Sequence, residues 1–160
     1  LPKEEYICRK VLFLASDNVQ ERLGIAPTLL QSARNAQERR LIIEATLFCM
    51  ECAYDSRLAE QARRMLAKTP FARLQAKYHS LRALELAKFG EERKAIKAAV
   101  KARNCMSVFN DSMPTSSEKY LMSETFRKDF DDLSSRWRLP EPQKGTQRYD
   151  IPSYLLQLIK

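Results

Sequence analysis

Between Leu84 and Asn104 the chain reads LELAKFGEERKAIKAAVKARN, and this stretch constrains the fold more than any other. A helical run stops at Gly90, and a second begins at once with Glu91 and Glu92. Gly at that point suits a left-handed C-terminal cap, and two acids suit the positive end of the next helix. The second run is almost wholly Ala and Lys. Ala95, Ala98, Ala99 and Ala102 share one face, and Lys94, Lys97 and Lys101 share another. A helix with so small a face packs only if a neighbour's axis comes close. A facing row of small residues on the preceding helix allows that approach. That helix supplies Ala72, Ala76 and Ala83 with Leu86, and on its other side Leu74, Tyr78, Leu81 and Leu84. A helix apolar on two sides belongs inside an assembly.

The rest of the chain reads the same way. Only 3 Gly occur in 160 residues, and the abundant residues are good helix formers, so the fold class is all-α. Helical spacing of Ile7, Val11, Leu14 and Val19 predicts a first helix over about 3–23, with SDN at 16–18 as a potential break and Gly24 as its end. Pro27 suits the first turn of a second helix, to about Asn35. Further helices are predicted over 38–54, with Leu41, Ala45, Phe48 and Cys52 on one face, and over 56–68, capped by Asp55 or Ser56. Others cover 70–89, started by Thr69 and Pro70, 91 to about 109, and 117–138, which carries the stripe Phe126, Phe130, Leu133 and Trp137. Short connections predict antiparallel helical hairpins over 1–138. Residues 139–160 read as a Pro-bearing linker and a short amphipathic docking tail, with Ile151, Tyr154, Leu155 and Leu158 on one side.

Charge is uneven along this frame. Of the net +8, residues 57–103 carry 13 Lys and Arg against 4 Glu, a surplus of 9. Residues 111–132 carry 6 acids against 3 bases. A concentrated basic face fits an acidic protein partner or, as the alternative, a nucleic acid. No run approaches the roughly 20 apolar residues of a membrane span. Cys8, Cys49, Cys52 and Cys105 form no disulfide framework and read as reduced thiols of an intracellular protein, cytoplasmic or nuclear.

Groups that bear chemistry are few. Cys49 and Cys52 form a Cys-x-x-Cys in mid-helix, without the second ligand pair of a zinc site or the strand-to-helix turn of a redox site. The single histidine, His79, has no orienting carboxylate to propose and reads as a packing residue. No catalytic residue, metal ligand or cofactor site is expected.

The pattern Ala83, Leu86, Gly90, Ala95 and Ala102 resembles one tetratricopeptide repeat: a small and a large residue in helix A, a turn glycine, then small residues in helix B. Shifting back 33 residues sets Ala62 under Ala95 and Leu66 under Ala99, so the resemblance spans about 42–107. The chain departs from the family where its aromatic, Leu, Phe and Pro fall on His79, Arg82, Ala99 and Ser107, and Arg57 replaces the turn glycine of the earlier copy. The resemblance implies a short tetratricopeptide-like α-solenoid or bundle with a C-terminal capping helix. It implies a groove for a partner's peptide, lined by Lys77, Ser80, Leu81, Leu84 and Lys88. Ser80 and Leu84 stand where the family's carboxylate clamp has Lys and Asn, which argues against a chaperone C-terminus as ligand. The function expected is non-enzymatic: an adaptor or scaffold segment of a larger protein. It binds a helical or acidic segment of another protein through that groove and through Lys94, Lys97 and Lys101.

Overall fold

The computed structural model describes residues 1–69, 71–110 and 124–138; the side chains of 106–110 and of part of the last helix are outside the description. Seven helices and no strands are present among the described residues. They are α1 (Pro2–Ala15), α2 (Val19–Ala36), α3 (Arg39–Cys52), α4 (Ser56–Ala67), α5 (Ala72–Lys88), α6 (Glu92–Asn110) and α7 (Glu124–Trp137). The expected tail, with Ile151, Tyr154, Leu155 and Leu158, lies outside the described residues. The chain divides into two compact units, Leu1–Leu66 and Ala67–Lys160.

In the first unit the SDN break is complete. Ser16 is extended, and the Asn18 side chain accepts the Gln20 N–H at 2.8 Å, which starts a new helix at Val19. Gly24 therefore does not end a helix, and Pro27 does not begin one; both lie inside α2. Gly24 meets nothing, so it costs α2 only backbone entropy. Pro27 faces solvent and removes one helix hydrogen bond, a cost of about 3 kcal/mol. Burial of Ala26, Leu29 and Ala33 on the inner face offsets it. The helix ends instead at Gln37, in the left-handed region at φ 56°.

These three helices surround a core of Tyr6, Phe13, Ala26, Leu29, Ala33, Ala45 and Phe48, with the Phe13 and Phe48 rings 4.9 Å apart. Of the face expected on α1, Leu14 packs against this core but Ile7 and Val11 do not. Tyr6 and Phe13 turn inward, while Ile7, Val11 and Leu12 are exposed. Leu41, Ala45, Phe48 and Cys52 of α3 do meet this core. Residues Ile43 to Phe48 are buried without interruption, so α3 is covered all round. Asp55 caps α4, accepting the Arg57 N–H at 2.7 Å, and α4 is sharply amphipathic, burying Ala59, Ala62 and Leu66.

The second unit is built on α5 and α6, the most extensive helix pair in the molecule. Gly90, at φ 77°, makes the turn. The Glu91 N–H donates to Leu86 O at 3.0 Å and the Gly90 N–H to Ala87 O at 3.1 Å, the two bonds that close a helix on a left-handed residue. α5 begins at Ala72, with Phe71 in the cap position, so Thr69 is not its cap. Ala83, Ala98, Ala99 and Ala102 form one cluster, joined by Leu86, Ile96, Val100 and Trp137. Of the expected small faces, Ala83 and Leu86 of α5 thus meet Ala98, Ala99 and Ala102 of α6. α7 packs on α5, burying Leu133 and leaving Lys128, Asp131 and Asp132 exposed. The side chains of Phe126 and Phe130 are outside the description.

Replacing Ala99 with Leu forces extra methylenes between α5 and α6. Chemical unfolding should show a loss of about 1–3 kcal/mol, and an unchanged midpoint would refute the close-packed seam.

Candidate partner-binding surface

The basic residues of α6 stand where the alanines put them. Ala95, Ala98, Ala99 and Ala102 are turned into the protein, so Arg93, Lys94, Lys97 and Lys101 are turned to solvent. Lys94 lies 3.6 Å from Glu91, an exposed pair of little energetic weight. From Lys94 to Lys101 the row climbs seven residues, about 10 Å at the helical rise.

The groove expected on α5 is not an open one. Lys77 is 1% exposed and Ser80 is fully buried, its hydroxyl donating to Ala76 O at 2.8 Å. Leu81 is buried and Leu84 half-buried, and Lys88 alone of these five is exposed. The resemblance puts Lys77 on a groove; its four-carbon stem can be covered as an apolar residue is, and here it is. Arg82, assigned no role by the sequence, is exposed one turn beyond His79.

His79 is half-buried, with the Tyr78 ring edge-on at 5.2 Å. Burial and then the charges of Lys101 and Arg82 lower its pKa to about 4, so the ring is neutral near pH 7. On α4, Arg63 and Arg64 both hold Glu60, at 2.6 and 3.1 Å. The Arg63 hydrogen bond leads in pulling that carboxyl down to about 2. These two arginines serve a neighbour on their own helix.

A buried polar group that the sequence did not reveal ties α1 to α3. Glu44, 3% exposed, accepts from the Tyr6 hydroxyl at 2.6 Å and pairs with Lys10 at 2.9 Å. Burial, then the Glu44 charge, raises the Tyr6 pKa, so the phenol remains a donor. The partners lie 38 residues apart, and no local pattern reports such a pair. The Cys-x-x-Cys is also inward-leaning. The Cys49 thiol lies 3.4 Å from Ala26 O, and burial pushes its pKa up to about 11, away from thiolate chemistry.

Among the described residues no group of three or more His, Cys, Asp or Glu is placed to hold a metal ion. None of their helices is long and apolar enough to cross a membrane. Comparison with family models, with curated proteins and with solved structures finds no match for this chain.

Two measurements check these sites. Tyr6→Phe leaves Glu44 one donor short in the interior and should cost about 1.5–3 kcal/mol in urea unfolding, without changing helix content. His79 is neutral in the fold and takes a proton in the unfolded chain, so stability is full above pH 6.5 and declines as pH falls toward 4. The decline should reach about 3 kcal/mol and be absent in His79→Gln; parallel pH profiles for the two proteins would contradict it.

Proposed function

We propose that this chain is a helical scaffold segment that binds an acidic, helical segment of another protein through the basic side of the α5–α6 hairpin. The observation that carries this reading is the orientation of α6. Its alanines are buried against α5, and its Lys94, Lys97 and Lys101 stand in one exposed row, with Glu91 beside Lys94. Three cations on a rigid rod present a fixed pattern of charge, which speeds encounter and selects partners by register. Carboxylates spaced a helical turn apart on a partner match such a row.

Within this reading the α5–α6 hairpin is the tetratricopeptide-like unit of the chain, and α7, with Trp137 on the alanine cluster and its charges outward, is the capping helix. The binding face moves, relative to the family's pattern, from the inner side of helix A to the outer side of helix B, because Lys77 and Ser80 are buried. An acidic protein fits better than a nucleic acid. Among the described residues the exposed side of α6 carries no aromatic to stack on a base; Phe89, 74% exposed, stands at the turn beyond the row.

Reversing Lys94, Lys97 and Lys101 to Glu should weaken binding of an acidic helical peptide at least about tenfold at low salt. The unfolding free energy should shift by no more than about 0.5 kcal/mol, since all three are at the surface. Equal affinity for the peptide in both proteins would remove this function.

A further inference from the structure

The α5–α6 seam brings together charges that neither helix shows alone. The turn at Gly90 runs α6 back along α5, and Ala83 meets Ala98, Ala99 and Ala102. His79 lies one turn before Ala83 on α5, and Lys101 adjoins Ala102 on α6, so both border the same end of the alanine contact. Arg82 follows His79 by three residues and falls on the same side of α5. Arg82 and Lys101 are exposed, and the imidazole between them is half-buried. Two cations therefore flank a ring that can accept a third positive charge. On α7, the other helix packed on α5, the described charges are Lys128, Asp131, Asp132, Arg136 and Arg138; the charges that act on the ring are Lys101 and Arg82. On α5 itself Glu85 follows Arg82 by three residues, and the charges that act on the ring are nonetheless the two cations.

We propose that a carboxylate of the acidic partner docks on this edge between Arg82 and Lys101, and that its docking draws a proton from solvent onto His79. The inference rests on the acidic-partner reading above and adds a site and a regulation to it. Burial is the first cause of the neutral ring and the two cations add to it; an anion there offsets the cations' part. By linkage, a ligand that favours the protonated ring binds more tightly as pH falls. The hairpin is then a scaffold whose grip tightens on acidification.

The chain's one histidine gives one imidazole signal, so its titration can be followed by proton NMR without assignment. The probe is a synthetic helical peptide rich in Glu, with an oligonucleotide of equal charge as comparison. Saturating peptide should raise the His79 titration midpoint. If the midpoint reaches about 6, affinity at pH 5.5 should be about fourfold that at pH 7.5. In His79→Gln the affinity should be nearly constant over that range. Arg82→Ala should bind more weakly and lose most of the midpoint shift. Peptide binding with an unmoved midpoint would overturn the His79 site and leave the basic-row function standing. No binding of the peptide at any pH would overturn both. Tighter binding of the oligonucleotide, with the same midpoint rise, would overturn the carboxylate assignment.

Discussion

The close approach of α5 and α6 is the contact on which the rest of the second unit depends. Four alanines buried in one seam contribute little hydrophobic area each, so the pair depends on many small dispersion contacts between small side chains. The same smallness decides the surface. A helix that gives one side to alanine has the other side available for charge, and the lysines occupy it. Packing and presentation are two results of one repeat of residues: the alanines set the direction, and the lysines supply the charge.

The first unit uses a different device. Its core is aromatic and aliphatic, Phe13 against Phe48 with Leu29 beneath, and it is pinned by a carboxylate inside rather than by close backbones. Glu44 is tolerable in the interior because Tyr6 and Lys10 both reach it. That arrangement fixes the register of α1 on α3, since sliding α1 by one turn would remove both partners at once. It also explains why α1 shows apolar residues on two sides: Tyr6 and Phe13 follow the carboxylate, and Ile7, Val11 and Leu12 are carried outward.

How much of this was legible in the residues depended on the range of the interaction. The α6 faces were readable because a single residue type repeats at 3.6 spacing, and the Gly90 turn because one glycine between two helical runs admits few alternatives. The α1–α2 boundary was misread because Gly24 and Pro27 are strong local signals, while Asn18, a weaker one, acts together with the buried row Ala26, Leu29 and Ala33. Lys77 and Ser80, set on a groove by the tetratricopeptide resemblance, are buried because matching positions report a face, not what covers it. The Glu44 cluster and the edge formed by His79, Arg82 and Lys101 were invisible for a simpler reason. Each unites residues far apart in the chain, and only the folded backbone brings them to one place.

The turn between the two alanine helices gives a last consequence. A residue without a side chain, in a dihedral region that costs most others about 1–2 kcal/mol, sets the angle at which the lysine rod leaves its neighbour. The aim of an entire charged ridge is thus governed by one torsion that touches no ligand. Drift in the surface cations would leave the ridge pointing the same way, whereas a methyl group at position 90 would swing it.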